Sequence, residues 1–176
     1  RGELKDETIE VVNVDSVSQF SWSNRISYIN ADIRNTESYA FAISGADCVV
    51  HLAANTGVQP SVDNPEYDLS VNILGTLRLL ETSVKSLVKK FIFASSGAPL
   101  GNQKPPLHEE LAPRPASPYG ASKLAGEGYC SAYYQCFGLD TVSLRFGNVY
   151  GPGSMHKTSI VAKFLTSAQK SKSFES

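Results

Sequence analysis

Two side chains one helical turn apart could do chemistry in this sequence. In Ser117-Pro118-Tyr119-Gly120-Ala121-Ser122-Lys123 a tyrosine and a lysine stand four residues apart, a spacing that puts them on one face of a helix. Ser117 suits a helix cap through its hydroxyl, and Pro118 suits the first helical position, where an N–H would lack a partner anyway. A phenol ordinarily titrates near about 10 and is a poor base at neutral pH. An ammonium held beside it favours the phenolate. Reaching about 7 takes roughly 4 kcal/mol of differential stabilisation, of which one lysine supplies part and a cationic cofactor could supply more. The same spacing also describes an ordinary exposed helix pair, so its meaning depends on the rest of the chain.

With 176 residues there is room for one domain, or one domain and part of another. An apolar fraction of 41% suffices for a globular core, and 19% charged residues argue against disorder. The net charge of −1 gives no basis for binding nucleic acid or a membrane surface. No apolar run approaches the roughly 20 residues that span a bilayer, and no signal peptide opens the sequence, so a cytoplasmic protein is expected. Cys48, Cys130 and Cys136 are odd in number and lack metal-ligand spacing. They are expected as buried or half-buried free thiols in a reducing compartment. The scattered His51, His108 and His156 predict no metal site, and Glu109 with Glu110 reads as a solvated pair in a proline-rich loop.

Around the central heptapeptide, strands alternate with helices. Strands are expected at residues 9–15, 26–30, 47–52, 91–94 and 141–146. The third and fourth read as buried, and the continuous apolar run 47–52 as covered on both faces. A short helix is expected from Thr36 to Ile43, and a long one from Asn64-Pro65, a cap residue followed by proline, to about Val84. The helix from Pro118 should stop at Gly138, and a last one is expected over 159–167. This alternation predicts a parallel sheet with helices on both faces, in which ligands collect beyond the carboxyl ends of the strands. Asp15, Asp32, Ala53-Ala54, Ser95-Ser96 and Asn148 all follow strand ends and should share one rim.

In that order the chain carries Asp15, Ala31-Asp32-Ile33-Arg34, His51-Leu52-Ala53-Ala54 and Val71-Asn72-Ile73-Leu74-Gly75-Thr76. Phe93-Ala94-Ser95-Ser96, the heptapeptide and Leu144-Arg145-Phe146-Gly147-Asn148-Val149-Tyr150-Gly151-Pro152-Gly153 follow. With these segments the chain resembles the extended short-chain dehydrogenase/reductase family, in its nucleotide-sugar epimerase/dehydratase branch, and most of all its UDP-glucose 4-epimerase-like members. The resemblance implies an α/β fold, a Rossmann-like doubly wound parallel sheet, and an NAD-dependent enzyme. It implies that Tyr119 takes a proton from a sugar hydroxyl, that Lys123 lowers the phenol's pKa and holds the nicotinamide ribose, and that Ser96 bonds the reacting oxygen. Asp15 would meet the adenosine ribose hydroxyls and disfavour a 2′-phosphate, so that NAD is preferred to NADP. Asp32 and Ile33 would contact the adenine. Leu52, Ala53 and Ala54 would line the cofactor, with Asn72 nearby, Phe146 beside the nicotinamide and Asn148 on the substrate's phosphates. Asn72, Leu52 and Phe146 read equally well as core residues.

The family's Gly-x-x-Gly-x-x-Gly turn and first strand have no counterpart in this sequence, and neighbouring strands should therefore lack a partner. Residues 1–153 are expected as a partial Rossmann-like NAD-binding domain and 154–176 as the start of a truncated substrate-binding region, together an incomplete version of a longer protein. Dehydratases of the branch carry Asp-Glu directly after the position of Ser96, where this chain has Gly97-Ala98. Epimerisation of a UDP-hexose through a transient keto-sugar is therefore the expected reaction. The alternatives are an inactive relative acting as a binding module and a nucleotide-sugar or carbonyl oxidoreductase. The family's habit of pairing two long helices implies a homodimer.

Overall fold

The computed structural model describes residues 9–13 and 26–149. The chain divides into two compact units, Arg1–Arg145 and Phe146–Ser176. In the first unit β1 (Ile9–Asn13) and β2 (Ile26–Asn30) pair in parallel, with Ile9 opposite Ile26 and Asn13 opposite Asn30. A separate sheet has the order β3 (Cys48–His51), β4 (Lys90–Ser96), β5 (Asp140–Phe146). β3 and β4 are parallel, with Cys48 opposite Lys90 and His51 opposite Phe93. Among the described residues no ladder joins β1–β2 to β3–β4–β5.

Parallel neighbours need a long crossover, and helices supply it here. After a 3₁₀ turn at Thr36–Ser38 and α1 (Ala40–Ile43), the chain runs through β3 into α2 (Val58–Asp63) and α3 (Pro65–Leu69). Asn64 caps α3 as expected, its Oδ1 accepting from the Tyr67 N–H at 3.0 Å with Pro65 in the first turn. The single long helix expected to follow is instead α3, a π-helical turn at Ser70–Gly75, and α4 (Thr76–Lys85). The π turn sits where Gly75 packs on Ile33, so closely that an added β-carbon would lie 2.6 Å from its Cδ1. α2 was not expected; its Val-Gln-Pro-Ser-Val-Asp is too short and polar to show a helical stripe.

α5 (Pro118–Phe137) follows the sequence reading at both ends. Ser117 Oγ accepts from the Gly120 N–H at 3.1 Å, and Gly138 closes the helix in the left-handed conformation at φ 70°. α5 packs on β4 and α4, enclosing Leu80, Phe91, Phe93, Cys130 and Tyr133 in the core. Along β4, Phe91, Phe93 and Ser95 are buried, facing this layer.

Two expectations are corrected here. β3 is covered on one face only: His51 is 3% exposed while Val50 is 55% exposed. An unbroken apolar run fixes a strand but does not say which of its faces a helix will cover. Of the cysteines only Cys130 is buried; Cys48 and Cys136 are exposed. Cys48 begins β3 on its uncovered face, and Cys136 lies on the outer side of the last turn of α5. Among the described residues no helix is long and apolar enough to cross a membrane.

The contact between α5 and β4 depends on Gly126, whose β-carbon would collide with the Phe93 ring. Gly126→Val should lose about 1–3 kcal/mol through overpacking. That loss exceeds the gain of less than about 1 kcal/mol from removing a mid-helix glycine. Urea unfolding of both proteins measures it, and unchanged stability would mean that α5 can lift from β4 at no cost.

Candidate active site

Ser96 ends β4, and Tyr119 and Lys123 occupy the first two turns of α5. Gly120 brings the two elements together: a β-carbon there would stand 2.7 Å from the Ala98 carbonyl oxygen. The Tyr119 N–H donates to Ser61 Oγ at 3.0 Å, and the fully buried Ser61 hydroxyl donates to the Val58 carbonyl at 2.6 Å. The half-buried Ser96 accepts from the Ala98 N–H at 3.2 Å. Lys123 is 3% exposed, and its Nζ donates to the Ala94 carbonyl at 2.8 Å. The same Nζ stands 4.9 Å from the Phe93 ring centre and 5.9 Å from that of Tyr119.

The electrostatics depart from the simplest reading of Tyr-x-x-x-Lys. Burial pushes the Tyr119 phenol above its ordinary value, the Ser96 side chain offsets part of this, and the Asp68 charge adds to it. Burial also pulls Lys123 down to about 8, with the Asp68 charge opposing the fall. The expected acidic phenol is thus absent in this state. Desolvation outweighs the Ser96 hydrogen bond, the Asp68 charge acts in the same direction as burial, and the Lys123 ammonium is bonded to the Ala94 carbonyl.

Beneath the pair lies a buried polar lattice. Asn72, 2% exposed, accepts from the Asn55 N–H at 2.8 Å through Oδ1. Its Nδ2 faces the Asn55 carbonyl at 3.0 Å, Asp68 Oδ1 at 3.0 Å and Ser122 Oγ at 3.1 Å. Ser122 Oγ in turn donates to the Tyr119 carbonyl at 3.0 Å. The Thr76 hydroxyl donates to the Asn72 carbonyl at 2.7 Å, so it accepts from His51 Nε2 at 2.8 Å, and the proton sits on Nε2. Burial, with the nearby Lys123 charge, pushes His51 down to about 3.

The other expected residues are placed as follows. Asp32 is half-buried, with its carboxylate held by Arg34 Nε at 3.0 Å and Nη2 at 2.5 Å, and the Arg34 hydrogen bond lowers its pKa. Ile33 is in the core at 3% exposure, and its carbonyl accepts from the Tyr39 hydroxyl at 3.1 Å. Leu52 is 66% exposed, and Ala53 and Ala54 are half-buried just past β3. Phe146 and Asn148 belong to the second unit, where both are exposed. Asp15, the helix expected over 159–167 and the region expected over 154–176 lie outside the described residues.

Sequence reasoning missed Ser61, Asn55, Asp68 and a cluster one turn beyond Lys123. There Glu127 accepts from Arg145 Nε at 2.9 Å, Arg145 Nη2 at 2.7 Å and Ser95 Oγ at 2.5 Å. Burial opposes the Glu127 charge, but Arg145 and Ser95 outweigh it and hold the carboxyl below its ordinary value. The spacing Tyr119, Lys123, Glu127 is the one sequence feature that could have shown this residue.

The model of the NAD dependent epimerase/dehydratase family matches residues 2–175. This chain belongs to that family. It is 34% identical over 154 residues to a putative UDP-glucose 4-epimerase of Methanocaldococcus jannaschii, covering 84% of this chain and 50% of that protein. A dTDP-glucose 4,6-dehydratase of Streptomyces antibioticus is 32% identical over 144 residues, covering 80% of this chain and 42% of that protein. Among solved structures, the Thermus thermophilus UDP-glucose 4-epimerase complex with NAD superposes with a TM-score of 0.74 at 38% identity, covering 82% of this chain and 48% of that one. The chain spans about half the length of the relatives it matches. The Rossmann-like α/β fold and the NAD-dependent family expected from the sequence are both in place.

The family's dinucleotide suits the residues at this rim. Past β3, Ala53 and Ala54 leave room for close approach to the backbone, and the exposed Leu52 offers apolar surface. Past β4, Ser96, Tyr119 and the Lys123 ammonium supply donors.

In this family member His51 makes stability depend on pH. Its folded pKa lies below the unfolded value, so the folded protein stays neutral while the unfolded chain takes up a proton as pH falls. Stability is therefore full above about 6.5 and declines towards about 3. Relative to His51→Gln, the native chain should lose about 2 kcal/mol between pH 7 and 5. Denaturant midpoints at several pH values test this; parallel curves for the two proteins would contradict it.

Proposed function

We propose that this chain acts as an NAD-dependent epimerase on a nucleotide sugar of the UDP-hexose type, by way of a transient keto-sugar. The observation that carries this reading is the convergence of Ser96, Tyr119 and Lys123 at the carboxyl end of β4 and the start of α5. NAD supplies a hydride acceptor that gives the hydride back. The residues do the rest. Ser96 donates to the sugar oxygen as it becomes a carbonyl. The ionised Tyr119 takes the hydroxyl proton on Oη and later returns it. Lys123 favours the phenolate and offers N–H donors to the ribose.

For Tyr119 to act as a base, ionisation must overcome the burial that holds its proton at rest, and Lys123 is the neighbouring cation able to favour it. Gly97 and Ala98 place no carboxylic acid after Ser96, which favours epimerisation over water elimination although dehydratases are among the relatives. Leu52, Ala53 and Ala54 serve the cofactor, together with Asp32 and Ile33. Asn72 supports the cofactor's floor. Asp15, Phe146 and Asn148 keep the roles that the family resemblance implies. We place the protein in the cytoplasm, as a homodimer built on the helices that begin at Pro65 and Pro118; Tyr67, Leu69 and Leu74 at 42–47% exposure give the first of these an apolar outer side.

Incubation with NAD and either UDP-glucose or UDP-N-acetylglucosamine, followed by NMR of the sugar, should show the 4-epimer. Tyr119→Phe should lower kcat by about 10²–10⁴ with the fold intact. Epimer formation in the native protein should rise with pH as the phenol ionises. NADH consumption without epimer would identify an oxidoreductase, and no turnover across a panel of sugars would identify a binding module. Light scattering should give twice the chain mass, and a monomer alone would remove the dimer.

A further inference from the structure

Asp68 on α3 is 1% exposed and carries a carboxylate. Among the described residues, the side-chain donors that reach it are two neutral amides, Asn72 Nδ2 at 3.0 Å and Asn55 Nδ2 at 3.4 Å. Amides satisfy oxygen lone pairs but do not balance a charge, and an unbalanced buried carboxylate is costly. Lys123, 3% exposed on α5, is a buried cation on which the Asp68 charge acts, and its helix is tied to Asp68 through Asn72 and Ser122.

We propose that Asp68 is a positioning residue for the Tyr119–Lys123 pair, fixing the first turn of α5 through Asn72 and Ser122 and serving as the counter-charge of the Lys123 ammonium. This rests on the reading of that pair as catalytic. The mechanical link is continuous: Asp68 Oδ1 to Asn72 Nδ2, Nδ2 to Ser122 Oγ at 3.1 Å, and Ser122 Oγ to the Tyr119 carbonyl at 3.0 Å. It crosses from α3 through the π turn to α5, so a shift of either helix breaks a buried hydrogen bond.

The electrostatic link follows from what faces the ammonium. From β4 it meets the Ala94 carbonyl and the Phe93 ring, from its own helix the Tyr119 ring. From β3 it meets the buried His51, on which its charge acts. Glu127, one turn further along α5, is taken up by Arg145 and Ser95. On Tyr119 act the Ser96 side chain and the Asp68 charge, and the Lys123 Nζ stands 5.9 Å from its ring centre. Of these groups, Asp68 is the carboxylate acting on both members of the pair: it favours the protonated forms of Lys123 and of Tyr119.

Asp68→Asn keeps the size and one acceptor oxygen while removing the charge. In the full chain with ¹³Cε-labelled lysine, the Lys123 signal, assigned by its loss in Lys123→Met, should titrate near 8 in the native protein. In Asp68→Asn that midpoint should fall by about half a unit or more, because an opposite charge has been taken from a low-dielectric neighbourhood. In turnover, both limbs of the pH–rate profile should move to lower pH, whereas a purely structural role would lower the plateau without moving the limbs. A Lys123 midpoint within about 0.2 units of native overturns the proposal.

If Asp68→Asn fails to fold, the double variant with Lys123→Met decides, since it removes both charges. Recovery of folding in the double variant upholds the counter-charge, and equal failure of the two overturns it. The titration needs neither NAD nor sugar. A displaced midpoint in a protein without turnover therefore upholds Asp68 and removes the epimerase reading, and an unchanged midpoint in an active enzyme does the reverse.

Discussion

The close seating of α5 on β4 is the constraint on which the site depends. Gly126 leaves no side chain between the helix and the Phe93 ring, and Gly120 lets the helix start beside the Ala98 carbonyl. With a β-carbon at either place α5 would stand off, and three contacts between helix and strand region would open together: Lys123 to the Ala94 carbonyl, Ser95 to Glu127, and the approach of Tyr119 to Ser96. Two glycines in a helix interior are unfavourable by propensity, at about 1 kcal/mol each. Their presence makes sense where proximity matters more than helix stability, which is the situation of a side-chain set that must meet across two elements.

Seating a helix so tightly buries charge, and the first unit deals with this in three ways. Glu127 and Arg145 form a two-point ion pair with side chains 13% and 20% exposed, completed by a serine hydroxyl, the fork geometry that best offsets desolvation. His51 gives up its charge altogether and becomes a neutral donor to Thr76. Lys123 and Asp68 are the third case, two buried charges that influence one another without a direct ion pair within 4.0 Å among the described residues. The first two arrangements lock structure. The third leaves an ammonium whose hydrogen bond among the described residues is to the Ala94 carbonyl.

How much of this was legible beforehand differs by element. The ends of α5 could be read because Ser117, Pro118 and Gly138 each act locally, through a cap, a missing N–H and a permitted left-handed φ. The strands were legible as apolar runs. The exposed face of β3 was not, since Val50 and Val49 look alike in sequence and only the packing of helices distinguishes them. The π turn was hidden in the same way: Leu69, Ile73, Thr76 and Leu80 fit an ordinary helical stripe, and the turn holds Gly75 and Asn72, whose contacts are with distant parts of the chain. At the candidate site, Tyr119 and Lys123 stood out by their spacing and Ser96 by the family resemblance, and the structure brings the three near one another. Asp68, Ser61 and Asn55 were not, because their importance comes from partners up to 58 residues away.

The raised pKa of Tyr119 bears on how such a site has to work. A phenol left in water would be easier to ionise at rest, but water would also screen the charges that matter during reaction. Burial makes the resting phenolate harder to form and makes every nearby charge count for more, because Coulomb energies grow as the local dielectric falls. The balance then turns on charge that the resting site withholds: Lys123 is engaged by the Ala94 carbonyl, and the Asp68 carboxylate works against the phenolate. A ligand that draws the ammonium from that carbonyl towards the phenol acts on the right variable in the right direction. Under the proposed reading, base strength would follow ligand binding, and Lys123, 3% exposed with its Nζ 5.9 Å from the Tyr119 ring centre, stands where such a change would act.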